Sequence, residues 1–142
     1  MSVLKNPLNA YREVSVRTAT QGKLIVMLYD EAVKQLDGAI SLLNANTRHL
    51  DKVHNSLIKT QDIITELMAG LDFDRGGEIA RNLMSLYVFF NEKIREGNLK
   101  KDPEPLIQVR AFVADLRSAW IQIANSRVEE LPASRPGVNI AG

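Results

Sequence analysis

Residues 11–40, YREVSVRTATQGKLIVMLYDEAVKQLDGAI, decide how this chain folds. From Gly22 onward, Ile25, Tyr29, Ala32, Leu36, Ala39/Ile40 and Leu43 recur at intervals of three and four. That spacing lays an apolar stripe along one side of an α-helix. Asp30, Glu31, Lys34 and Asp37 carry the polar side. Val26, Met27 and Val33 fall off the stripe and are apolar all the same, so this helix has more apolar surface than one core seam uses. Ahead of it, Asn6-Pro7 is a helix start, an N-cap residue followed by proline at the first helical position. Leu8 and Tyr11 then share a face, while Val14 and Val16 are β-branched and weaken a helix too short to stand alone in water. Thr18-Ala19-Thr20 interrupts the pattern and offers Thr18 or Thr20 as the cap of the long helix. A greasy helix beside a detachable apolar lead-in describes a covered groove.

Outward from that stretch the helical period continues. Asn44, Asn46 and Thr47 end the first long helix. A second is expected over residues 48–71, with Leu50, Val53, Leu57, Ile64, Leu67 and Leu71 as its seam. The loop Asp72-Phe73-Asp74-Arg75-Gly76-Gly77 allows a tight reversal. A third helix is expected over residues 77–96, with Ile79/Ala80, Leu83, Leu86/Tyr87, Phe90 and Ile94 inward and Gly97-Asn98 as its stop. Asp102-Pro103-Glu104-Pro105 opens the fourth, whose seam is Leu106, Val109, Val113, Leu116, Trp120 and Ile123. No stretch alternates as a strand does. The expected fold class is all-α: an antiparallel up-down four-helix bundle over residues 17–130, preceded by a short helical segment at 1–16 and followed by a disordered tail at 131–142.

The bulk composition narrows function by exclusion. With 142 residues, 45% hydrophobic and 25% charged, the chain fits one soluble domain of ordinary size. A net charge of +1 gives no basic field for nucleic acid. There is no cysteine, hence no disulfide framework or thiol chemistry. The N-terminus lacks the apolar core of a secretory signal, and the run LIVMLY at 24–29 is too short to span a bilayer. No membrane insertion and a cytoplasmic location are expected.

The candidate sites are weighed the same way. His49 and His54 are five apart, a poor spacing for a helical metal pair. Neither follows a Glu by three residues, as a di-iron bundle requires. Asp72, Asp74 and Glu78 lack the ligand spacing of a calcium loop and suit helix capping. Gly76-Gly77-Glu78 lacks the lysine and preceding strand of a phosphate loop. No nucleophile motif occurs. The expectation is no enzyme, no metal and no cofactor. Trp120 reads as a core anchor. Phe89 and Phe90 are adjacent, so Phe89 contacts either the surface or a neighbouring helix. Val26, Met27 and Val33 have two readings, broad burial in the bundle or contact with a partner.

Three stretches together resemble the flagellin export chaperones of the FliS family. The first is Tyr11, then Val16-Arg17-Thr18-Ala19-Thr20, then Leu24-Ile25-Val26-Met27-Leu28-Tyr29-Asp30. The second is Gly76-Gly77-Glu78-Ile79-Ala80 with Asn82-Leu83 and Leu86-Tyr87. The third is Leu116-Arg117 with Trp120 three residues on. The family's Thr-Ala-Ser-Pro is here Thr18-Ala19-Thr20-Gln21, and its Tyr-Asp-Gly-Ala is Tyr29-Asp30-Glu31-Ala32. The first change softens a helix start, and the second propagates a helix better.

The resemblance implies an antiparallel bundle that holds the C-terminal segment of flagellin, prevents premature polymerisation and delivers it to the export gate protein FlhA. Joined to the residue pattern, it makes Val26, Met27 and Val33 the expected flagellin contacts, with Leu24 and Tyr29 counted in the same groove and Tyr29 also in the seam. Leu8, Tyr11 and Val14 become the expected N-terminal cap and export-gate contact. A homodimer is a further expected partner. The alternative reading is a non-catalytic helical bundle that only self-associates as a structural or signalling module.

Overall fold

The end-to-end order of four helices follows from where the sequence places its caps. In the computed structural model, which describes residues 21–138, the helices are α1 (Gln21–Asn44), α2 (Leu50–Ala69), α3 (Phe73–Lys100) and α4 (Pro103–Val138). Side chains are described as far as Asn125, Ala124 excepted. Among the described residues there is no strand. The expected short helix at 1–16 lies outside the described residues, and the side chains of the expected tail do too. Residues Leu28–Ala114 form one compact unit, and the residues on either side of them belong to a second.

Caps are visible at several helix ends. Asn46 takes a left-handed φ of 53° after α1 ends, a conformation its short polar side chain tolerates. Asp72 caps α3 by accepting from the backbone N–H groups of Asp74 and Arg75, both at 3.1 Å. Asp102 likewise accepts from the N–H of Glu104 at 3.0 Å. The acidic residues around 72–78 thus include a working cap, and among the described residues no group of three or more His, Cys, Asp or Glu could hold a metal ion.

Side-chain contacts fix the helix directions. His54 meets Asn98 at 2.9 Å, and Gln61 reaches the backbone oxygen of Asn91 at 3.4 Å. The numbers rise on α2 as they fall on α3, so these helices are antiparallel. Phe89 and Phe90 meet Phe112, while Gly97 lies against Leu106, so α3 and α4 are antiparallel as well. The core of the unit is Leu28, Tyr29, Ala32, Leu36 and Ala39 of α1; Val53, Leu57, Ile63, Ile64 and Leu67 of α2; Ala80, Tyr87, Phe90 and Ile94 of α3; and Leu106, Val109 and Val113 of α4. Thr60 joins them because its hydroxyl donates to the Ser56 carbonyl at 2.8 Å, leaving no orphan polar group.

Several seam expectations are corrected. Ile25 and Leu43 are half-buried, and the inward positions of α1 include Leu24 and Leu28 instead. Leu50, the first residue of α2, is exposed, and of the pair Ile79/Ala80 it is Ala80 that is buried. Ile123 is exposed as well, and Leu116 and Trp120 are half-buried. The third helix begins earlier than expected, at Phe73, because Asp72 is its cap; Gly77, at φ 51° and ψ −121°, then interrupts it. That backbone conformation is open to glycine and strained for other residues. Gly97 is not a stop. The helix runs on to Lys100, and Lys101 closes it in a left-handed conformation with its N–H on the Gly97 carbonyl.

Candidate partner-binding surface

Helical geometry sorts the candidates of α1. Its buried residues occupy one arc of the helix. At 3.6 residues per turn, Val33 and Ile40 are seven apart and lie along one edge of that arc, and Val26, seven before Val33, takes the same angular position. All three are half-buried. Met27 is half-buried too but stands about 100° from Val26, on the other flank. On the helix wheel Val26 is in phase with Val33 and Ile40 and Met27 is not; Val33 and Ile40 lie within the unit Leu28–Ala114, Val26 and Met27 outside it.

Leu24 and Tyr29, counted in the groove from sequence, are interior. Tyr29 is 0% exposed and its hydroxyl lies 2.6 Å from that of Tyr87. In this state neither residue presents a surface to a partner. The hydroxyl pair satisfies two buried polar groups at once. Burial pushes the Tyr87 phenol above its ordinary value, and the bond from Tyr29 offsets part of that rise. Leu8, Tyr11 and Val14 lie outside the described residues.

The edge formed by Val33 and Ile40 is shared with α4. Asp37, between them on the same flank, accepts a two-pronged contact from Arg110: Nε at 2.8 Å to Oδ1 and Nη2 at 3.3 Å to Oδ2. Hydrogen bonding to Asp37, and secondarily its charge, raises the Arg110 guanidinium above its ordinary value, so the fork stays ionised. Both side chains are about half exposed, so the pair orients α1 and α4 more than it stabilises them.

A second apolar area lies between α3 and α4. Phe89 meets Phe112 edge-on at 6.0 Å between ring centroids, and Phe112 also lies 5.9 Å from Phe90. Such pairs favour tilted and edge-to-face geometry over stacking. Lys93 sits 5.8 Å over the Phe89 ring. Phe89 thus packs sideways on a neighbouring helix, the second of its two readings. Phe112, 43% exposed, was missed from sequence. A large aromatic off the seam of its helix was the available signal.

A helical bundle with apolar edges beside a finished core belongs to the class of scaffolds on which partner segments dock. No helix among the described residues is long and apolar enough to cross a membrane. The chain belongs to the FliS family of flagellar proteins: the family described as "Flagellar protein FliS" matches residues 4–127. It is similar to the flagellar secretion chaperone FliS of Bacillus subtilis (strain 168), 32% identical over 123 residues, covering 87% of this chain and 90% of that one. The flagellar secretion chaperone FliS of Vibrio cholerae is 34% identical over 125 residues, with 84% and 90% covered. That of Salmonella typhimurium is 34% identical over 122 residues, with 82% and 89% covered.

Proposed function

We propose that this chain is a cytosolic, non-catalytic export chaperone that binds the C-terminal region of flagellin, keeps it from polymerising and hands it to the export gate protein FlhA. The family match over residues 4–127 carries this reading, since relatives in three bacteria bear the name flagellar secretion chaperone. The physics suits the task. A partner that is disordered when free must offset its ordering entropy by burying a large apolar area. The edge of Val33 and Ile40 offers aliphatic surface to a partner helix, and Val26 and Met27 are further flagellin contacts. Leu24 and Tyr29 act from beneath, by shaping that surface. Leu8, Tyr11 and Val14 compete with flagellin for the same surface and also meet the export gate. The sequence has no phosphate loop, so the chain acts as a stoichiometric holder.

Co-purification tests the reading. Full-length flagellin is expected to be retained and flagellin lacking its C-terminal segment lost; retention of both, or of neither, would sink it. A chain that scatters light as a dimer and ignores the flagellin segment is a self-associating module instead. Val33→Asp is expected to weaken flagellin binding tenfold or more, in the order of about 1–3 kcal/mol for setting a charge against an apolar contact. Its helicity and melting should stay near those of the parent; collapse of the fold would place Val33 in the core. Deleting residues 1–16 should change flagellin affinity in calorimetry, and equal affinities refute the competition.

A further inference from the structure

The outer face of α3 carries a pattern that the proposed function does not use. Arg81, Met84, Val88, Arg95 and Leu99 fall within an arc of about 60° at 3.6 residues per turn, away from the buried arc of Tyr87, Phe90 and Ile94. Val88 is 43% exposed and Leu99 80%. Met84 is half-buried. Arg81 and Arg95 are exposed, and among the described residues neither makes an ion pair or hydrogen bond. Glu92, at the edge of this face, pairs with neither of them. Other cations of α3 are engaged: Lys93 and Lys100 both hold Glu96, at 3.5 and 3.6 Å. Two unpaired guanidiniums about 21 Å apart along the helix therefore bracket or flank its exposed apolar side chains.

The neighbouring edge of α2 lies beside this face. The register of His54 with Asn98 and of Gln61 with Asn91 repeats every seven residues. One step further it brings Met68 level with Met84, both half-buried. Methionine is a side chain that adapts to partners of varied shape. Asn91, whose backbone oxygen accepts from Gln61 of α2, has its side-chain Oδ1 buried without a hydrogen-bond partner among the described residues.

We propose that this α2–α3 face is a second docking surface, and that its occupant is an acidic amphipathic helix of a protein partner. Val88, Leu99 and the two methionines take the apolar side of that helix. Arg81 and Arg95 take its carboxylates, planar groups that a guanidinium grips with two hydrogen bonds. The surface is separate from the Val33–Ile40 edge and does not depend on flagellin being the cargo there.

The test uses the full-length chain and two designed helical peptides with the same leucine stripe. One carries glutamates beside the stripe; the other carries lysines at those positions. The acidic peptide is expected to bind about tenfold tighter or better, with the difference shrinking as salt is added. Amide shifts should centre on residues 81–99. Arg81→Glu combined with Arg95→Glu should invert the preference without altering melting, and Val88→Ser should weaken the acidic peptide severalfold. Equal binding, no binding, or shifts centred on α1 would overturn the proposal, whatever flagellin does.

Discussion

Replacing Tyr29 by phenylalanine is expected to cost about 1–3 kcal/mol of stability, while replacing Tyr29 and Tyr87 together is expected to cost less than the two single losses summed. The two hydroxyls are each other's partners at 2.6 Å, and both side chains are buried. Removing the Tyr29 hydroxyl leaves that of Tyr87 in the core with a desolvated, unpaired oxygen. Removing both leaves an apolar contact of nearly the same shape. Urea unfolding of the two single variants and the double variant measures this as a coupling energy. If the single losses simply add in the double variant, the pair is not the reason these tyrosines are buried. Tyr29→Ala removes a wholly buried aromatic side chain and should cost about 3–5 kcal/mol. Alkaline pH supplies a second readout. Burial raises the Tyr87 phenol above 10.0, so the unfolded chain loses this proton first. The contribution is intact below about pH 10 and is lost as pH rises from there through the folded value. Tyr87→Phe should flatten that part of the stability profile.

This pair also shows why the fold was more legible than the site. Tyr29, with its neighbour Asp30, and Leu86-Tyr87 belong to the stretches that carry the family resemblance, yet Tyr29 and Tyr87 meet inside the core. These two signature residues build the bundle. They report the fold and, through it, the family; they do not report where a partner touches. The period of three and four located all four helices because burial on one side of a helix imposes that period directly. It fared worse at helix ends, where a residue can keep the period and lose its neighbours. Leu50, the first residue of α2, is in phase and exposed.

Candidate contact residues were legible only as a surplus. Val26 and Val33 lie seven apart, and a wheel of the sequence alone would have parted them from Met27. Asp37 sits between Val33 and Ile40, but nothing in the sequence pairs it with Arg110, 73 positions away. The same holds for Phe112, which owes its place to Phe89 across α3 and α4. Contacts between distant segments depend on helix register, and register is set by the whole core.

Gly97→Val is the other large loss expected, about 3 kcal/mol or more, with melting lowered by several degrees for each kcal/mol. A Cβ at this position would lie 2.8 Å from Leu106 Cδ2, 2.9 Å from its Cγ and 3.1 Å from the Asp102 carbonyl oxygen. Leu106 is wholly buried, so it cannot swing away into solvent, and the Asp102 oxygen belongs to the backbone of the turn. The same carbonyl of Gly97 accepts from the N–H groups of Lys101 and Asp102, which ties the end of α3 to the start of α4. A side chain here must therefore push apart two helices that the turn holds together. Gly97→Ala is the sharper comparison. Alanine gains about 1 kcal/mol of helix propensity over glycine, so a variant free of crowding would be more stable than the parent. A net loss instead measures the close approach, and Leu106→Ala should relieve part of it in the double variant. An alanine variant at least as stable as the parent would show that α3 and α4 do not need this contact.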